Sequence, residues 1–421
     1  MDIVKKLIIK IISAEARWAL RRWRARVVGI TGSVGKSSAK EAIAMVLESR
    51  FRVRKSNKSY NSEIGLSLAV LGRTTAWRSW SGWICNIAQG LQEVHTKHPP
   101  EILVLEMGVD RPQDMDRLLG IVRPDIAVIT AIGELPVHVE FFPDAEDIAR
   151  EKSKLARQLA ASGWAVLNAD DPIVHTMKEK TNASILTYGF SDSADLVASN
   201  YKISEDGIAL KVDYKGASVP VRLHEVYGKQ QAYAALATIA VVTLFDMNLV
   251  EAAQALHRYK PLPGRLRHIE GIKNSFILDD TYNASPLATA AAFDVLQELP
   301  AKRKIVVFGD MLELGKYAIE AHQKVGTLAK FADYLITVGP RAKFAAESAV
   351  ASGMTQKNVL WFATAQEVAS FLKECTKEND MILIKGSQSM RMERVVEEIM
   401  AHPEQASELL CRQDDYWKNK K

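Results

Sequence analysis

A chain of 421 residues, 48% hydrophobic and 25% charged, is long enough for roughly two to three domains and excludes a largely disordered, collagen-like or disulfide-scaffold protein. The net charge of +5 is concentrated at one end. Residues 1–26 carry eight Lys or Arg against two acids, so the remaining body is nearly neutral, which excludes a general nucleic-acid binder.

Residues 3–24 have helical period. Val4, Leu7, Ile8, Ile11, Ile12, Trp18 and Ala19 fall mainly on one face, and Lys6, Lys10, Arg17 and Arg24 mainly on the other. Two readings fit this pattern: an interfacial helix drawn to anionic lipid, or a helix packed on the protein body with its charges solvated. No apolar run reaches the ~18 residues of a membrane span, and no small-residue cleavage pattern marks a secretory signal. Cys85, Cys375 and Cys411 are far apart and form no CxxC or Cys/His pair, which argues against zinc and disulfides and fits a reducing cytoplasm.

From Val27 onward, short apolar runs alternate with helical patterns. Strands are expected at 26–30, 102–107, 126–130 and 164–168, then at 276–279, 304–308, 334–338, 359–362 and 381–384. Runs without polar alternation suit strands buried on both faces, hence parallel sheets in an α/β protein. Trp77, Trp80, Ile84, Ile87 and Leu91 form a helical stripe, readable as core or as an apolar surface for a lipid-linked substrate. The stretch 186–223 alternates polar and apolar residues and predicts a small antiparallel excursion; 227–244 is an Ala-rich helix. Pro261-Leu262-Pro263-Gly264 breaks the pattern and marks a domain boundary. The organisation expected is a basic amphipathic helix at 1–26, a central α/β domain at 27–262, a Rossmann-like α/β domain at 263–402 and a tail at 403–421 with no assigned role.

The strongest chemical signal is Thr31-Gly32-Ser33-Val34-Gly35-Lys36-Ser37-Ser38, between a strand and a helix. Glycines let the backbone turn its N–H groups toward phosphate oxygens, the helix N-terminus adds its dipole, Lys36 reaches the terminal phosphates and the Ser37 hydroxyl can ligate Mg²⁺. The generic phosphate-loop pattern would place Gly at position 30, where this chain has Ile30. A GTPase is set aside, because the nearest match to Asn-Lys-x-Asp is Asn57-Lys58-Ser59-Tyr60.

Further blocks follow in a definite order. They include Tyr60-Asn61-Ser62-Glu63-Ile64-Gly65, Leu105-Glu106-Met107-Gly108, His138-Val139-Glu140, Ile148-Ala149-Arg150-Glu151-Lys152 and Leu167-Asn168-Ala169-Asp170-Asp171. Then come Pro263-Gly264-Arg265, Asp279-Asp280-Thr281-Tyr282-Asn283-Ala284-Ser285-Pro286, Gly309-Asp310-Met311-Leu312-Glu313-Leu314-Gly315 and Lys385-Gly386-Ser387. With the phosphate loop, this series resembles the Mur ligases, ATP-dependent amide-forming enzymes of peptidoglycan synthesis, and most of all their D-alanyl-D-alanine-adding branch.

The resemblance implies a phosphate-loop central domain with a mostly parallel sheet and a Rossmann-like C-terminal domain. It implies catalysis through an acyl phosphate, with ATP and two Mg²⁺ ions. Gly32, Ser33, Gly35, Lys36, Ser37, Ser38, Arg265 and Asp280 would bind the nucleotide. Ser37, Glu106, His138 and Lys152, the last as a carbamate, would hold metal, and Lys36, Glu106, His138 and Lys152 would carry catalysis. Tyr282, Asn283, Lys385 and Ser387 would meet the incoming amine.

Three departures stand out. The phosphate loop starts at residue 31, which leaves no room before it for the branch's UDP-muramoyl-binding domain. Gly228-Lys229-Gln230-Gln231 replaces the usual Gly-x-His-Asn, so nucleotide contacts are expected to rearrange. Lys154 stands where the branch often has Glu. The expected function is therefore a monomeric, cytoplasmic ligase joining a dipeptide to a peptidoglycan precursor. A Mur-type ligase for another, lipid-linked acid and a non-catalytic, nucleotide-responsive membrane scaffold remain as alternatives.

Overall fold

The computed structural model describes residues 2–56, 62–76, 79–135 and 138–418. Tyr60, Asn61 and Trp77 lie outside the described residues, so nothing below rests on them.

The first sheet has nine strands: β1 (Arg26–Thr31), β2 (Val53–Lys55), β3 (Ile102–Glu106), β4 (Ile126–Ile129), β5 (Trp164–Asn168), β6 (Ser184–Gly189), β7 (Leu196–Ser204), β8 (Gly207–Tyr214) and β9 (Ala217–His224). Their order is β2-β3-β1-β4-β5-β6-β7-β8-β9, parallel through β7 and antiparallel across β7, β8 and β9. Successive side chains enter opposite cores, as the two-residue strand period requires. On β3, Ile102 and Val104 join one core while Leu103 and Leu105 join the other. The antiparallel excursion expected at 186–223 is found at β7–β9, over 196–224, while its first residues belong to parallel strand β6 and the whole stretch extends the same sheet. Leu186 and Tyr188 face the first core, so the apolar side continues without a break.

The second sheet has six strands: β10 (Arg267–Gly271), β11 (Ser275–Asp280), β12 (Lys304–Gly309), β13 (Tyr334–Val338), β14 (Val359–Phe362) and β15 (Met381–Lys385). Their order is β10-β11-β15-β12-β13-β14, and only the β10–β11 pair is antiparallel. Apolar cores cover both faces of this sheet too.

Helices α1 (Asp2–Trp23), α2 (Lys36–Leu47), α3 (Glu63–Val70) and α4 (Trp80–Val94) flank the first sheet. α1 packs on α3 and α4, with Ile12, Ala16 and Ala19 fully buried, so it is a body helix on that face. Glu15 is buried in the same contact, and Gly90 of α4 admits it: a Cβ there would lie 2.3 Å from Glu15 Oε2. The outer surface of the pair carries large apolar side chains among its charges. Leu7 and Trp18 of α1, and Trp80, Ile84 and Leu91 of α4, are all exposed. The core reading of the α4 stripe is thus corrected for those three residues, while Ile87 does pack against the core. Among the described residues, no helix is long and apolar enough to cross a membrane.

Candidate active site

Register builds the first half of the site. β1 lies between β3 and β4, pairing Ile30 with Glu106 and Thr31 with Ile129, so the segments that follow all three strands emerge at one carboxyl edge. Gly32 turns the chain with φ 145°, and a Cβ there would sit 2.0 Å from Thr130 Oγ1. The Ser33 and Val34 amides donate to Ala131 O at 2.7 and 3.0 Å, fastening the loop to the segment after β4. Gly35, with φ 88°, caps α2 without a side-chain bond. The amides of Gly35, Lys36, Ser37 and Ser38 therefore head the helix, where no intrahelical acceptor exists. Ser33 Oγ is buried with no hydrogen-bond partner among the described residues.

Four of the expected side chains cluster there. Ser37 Oγ donates to Glu106 Oε2 at 2.9 Å, deep in the fold. Lys36 Nζ donates to the carbonyls of Gly32 (3.0 Å) and Ser33 (3.5 Å). Lys152 Nζ, on the helix Ala145–Arg157, donates to the same Gly32 carbonyl at 3.1 Å. Burial pushes the Lys152 amine down to about 7, and neighbouring Lys36 adds to the shift. Burial lowers Lys36 as well. Lys154 points its charge elsewhere, onto Asp116 (2.5 Å) and Glu151 (2.6 Å).

His138 follows β4 with φ 69° and is held between two carboxylates. Its Nδ1 lies 2.8 Å from Glu313 Oε2 and its Nε2 3.4 Å from Asp110 Oδ1. Glu313 comes from the segment after β12 in the second sheet, and its carboxyl is held below the usual range chiefly by the hydrogen bond from His138. Glu313 belongs to a block quoted from the sequence, but nothing local predicts its pairing with His138.

The second sheet turns its own carboxyl edge toward this cluster. Its residues and those of the loop share one cavity of about 400 Å³, lined among others by Lys36, Glu106, His138, Lys152, Arg265 and Tyr282. Asn283 and Ser387 also line it, whereas Lys385 does not. Lys385 Nζ is taken up by Asp280 Oδ2 at 2.5 Å and by the Asn283 carbonyl at 3.0 Å, because β11 and β15 pair Asp280 with Lys385. Asp280 also accepts from the Leu266 amide at 3.2 Å. Asn283 Oδ1 accepts from the Ala284 amide and Ser387 Oγ from the Leu312 amide. The Arg265 guanidinium lies 4.1 Å from the centre of the Tyr282 ring. Gln231 donates to the Arg265 carbonyl (3.0 Å) and accepts from Tyr259 (3.0 Å), tying the central helix to the crossing between sheets. Among the described residues, no group of three His, Cys, Asp or Glu is arranged to hold a metal.

Two family models match the chain: the Mur ligase middle domain over residues 84–242 and the Mur ligase glutamate ligase domain over 264–388. The UDP-N-acetylmuramoyl-tripeptide–D-alanyl-D-alanine ligase of Treponema pallidum is 31% identical, covering 87% of this chain and 73% of its own length. The chain belongs to the Mur ligase family. The Bacillus subtilis ligase of the same name is 29% identical, across 92% of this chain and 79% of the relative. Among solved Mur ligases, the Thermotoga maritima MurF complex with ADP superposes with a TM-score of 0.78 at 27% identity, over 93% of this chain and 83% of that one.

Proposed function

We propose that this Mur ligase is an ADP-forming amide ligase of peptidoglycan precursor synthesis that adds D-alanyl-D-alanine to a UDP-muramoyl tripeptide, as the names of its relatives state for those proteins. The observation that carries this reading is convergence. The head of α2, Glu106, His138 and Lys152 from one sheet meet Arg265, Tyr282, Asn283 and Ser387 from the other in one cavity.

In this reading the ATP phosphates lie on the Gly35–Ser38 amides and Ser33 Oγ, and Lys36 leaves the loop carbonyls to meet them. Arg265 adds positive charge from the second sheet. The substrate carboxylate attacks the γ-phosphorus, ADP departs and an acyl phosphate remains. The amine then attacks the carbonyl carbon, the C–O bond to phosphate breaks, and amide and phosphate result. The protein positions both partners, screens their charge and keeps water out. Lys385, committed to Asp280, acts on the amine substrate only by holding the Tyr282–Asn283 segment in place.

Mg²⁺ fits the Ser37 hydroxyl and Glu106 carboxylate, a pair of hard oxygens 2.9 Å apart, and when bound it supplies charge neutralisation for phosphate oxygens. His138 and carbamylated Lys152 are the proposed residues for a second ion. A lysine must be neutral to capture CO2, and burial brings Lys152 close to that state at pH 7. Residues from both sheets of one chain line the cavity, so we propose a working monomer. The test is phosphate release from ATP with UDP-muramoyl-tripeptide and D-Ala-D-Ala, each omitted in turn. Release that requires both is expected; ATP hydrolysis indifferent to either would overturn the reading.

One observation favours a membrane-surface location for this cytoplasmic chemistry. Exposed Leu7, Trp18, Trp80, Ile84 and Leu91 lie on packed helices α1 and α4, and Lys10, Arg21, Arg22 and Arg24 are exposed on or just after α1. Apolar insertion beside basic charge suits anionic lipid. Deleting α1 would uncover the core under Ile12, Ala16 and Ala19, so the clean test is a surface change. Trp80→Glu with Ile84→Glu should abolish flotation with phosphatidylglycerol vesicles, and unchanged flotation would refute the contact.

A further inference from the structure

A second cavity, of about 370 Å³, adjoins the first, and Arg265, Tyr282 and Gln388 line both. Ser37, Lys40 and Glu41 of α2 form one side of the second cavity, and Leu262 and Pro263 another. Its remaining wall is the chain's end: Cys411, Arg412, Gln413, Asp414 and Trp417. This segment lies beyond residue 388, where the match to the family model stops.

The segment is fastened where the nucleotide-facing residues sit. Arg412 turns the chain with φ 59°. Its almost fully buried guanidinium binds Glu393 at 2.7 Å and the carbonyls of Thr281 and Tyr282. It also lies 5.6 Å from the Tyr282 ring and 5.8 Å from the Trp417 ring. Arg391 donates to the Trp417 carbonyl at 2.8 Å. On the other side, Gly264 presses on the segment so closely that a Cβ would lie 3.2 Å from Cys411 Sγ.

We propose that Cys411, Arg412, Gln413, Asp414 and Trp417 form the closing wall of the nucleobase end of the nucleotide site, with Trp417 as its aromatic contact. This rests on the phosphates lying at the head of α2, as argued above. A nucleotide anchored there and crossing at Arg265 has its γ-phosphate in the cavity of Lys152 and its base in the cavity of Trp417. That cavity offers what a base needs: an aromatic ring, apolar Leu262 and Pro263, and the amides of Gln388 and Gln413.

The test is calorimetric titration of ADP and Mg²⁺ into the full chain, alongside steady-state kinetics. Trp417→Ala should weaken ADP binding about tenfold and raise the KM for ATP similarly, with kcat within twofold, while Trp417→Phe keeps most of the affinity. Trp417 is only partly buried, so both variants should melt like the parent. ADP affinity unchanged in Trp417→Ala, or lost equally in Trp417→Phe, would overturn the proposal. Lys36→Ala separates the two readings. If the parent binds ADP and this variant does not, the phosphate placement stands whatever Trp417 does; if both bind alike, the placement fails and the wall with it.

Discussion

Lys152 and Lys385 are both buried amines, each at the heart of one sheet's carboxyl edge, and they live in opposite company. Lys385 has an aspartate at 2.5 Å. Lys152 has a backbone carbonyl at 3.1 Å and a second lysine nearby, with Asp110, Glu106 and Glu151 each opposing that lysine more weakly. Burial pulls both amines down, but Asp280 pulls Lys385 back, whereas Lys36 pushes Lys152 further. An ion pair buried in register holds two strands together. An amine kept close to neutrality is available for chemistry. Burial alone does not make a lysine reactive; what it is buried beside decides.

The largest effect should come from Lys152→Ala. The turnover of amide should drop about a hundredfold to a thousandfold, the scale of losing one preorganised electrostatic group, with the melting curve little changed. Next is Lys385→Met, which strands a buried carboxylate and should cost about 3–5 kcal/mol in urea unfolding. The double change with Asp280→Leu should recover much of that loss; full additivity would show that the two side chains do not act as a pair. The pH dependence separates the amines further. Lys152 is neutral above about 7 and protonated below it, so ligation should fall as pH drops from 8 to 6. A flat profile would contradict the near-neutral amine. The smallest effect transfers the contrast to an acid. Burial raises Glu15 to about 7, so its carboxyl stays protonated in the fold where the unfolded chain has already lost its proton. That penalty is absent below the unfolded value of about 4.3 and complete above about 7. Glu15→Gln should therefore raise Tm at pH 8 and leave it unchanged near pH 4.

Most strands were legible because their residues are buried on both faces, and edge strand β14, with Trp361 exposed, because its run is apolar throughout. The runs at 164–168, 334–338 and 359–362 coincide with β5, β13 and β14. The phosphate loop was legible for a similar reason, since glycine spacing encodes local backbone geometry. The pairing of His138 with Glu313 was not, because it joins segments from two sheets and leaves no periodicity in either. The exposed side of α4 was equally hidden: Ile84 and Ile87 read alike in sequence, yet only Ile87 packs against the core. Gln231 shows a different limit. Its departure from the family pattern was plain, but the Arg265 carbonyl and Tyr259 hydroxyl it serves lie 34 and 28 residues away. The role of Trp417 had no motif to announce it.

The contact between His138 and Glu313 carries one more consequence. An imidazole at the mouth of the cavity already holds a carboxylate supplied by the protein itself. The ring proposed to hold an ion is thus also a tie between the segments that follow β4 and β12, so a change at Glu313 reaches the ion site and the seam between the two sheets together.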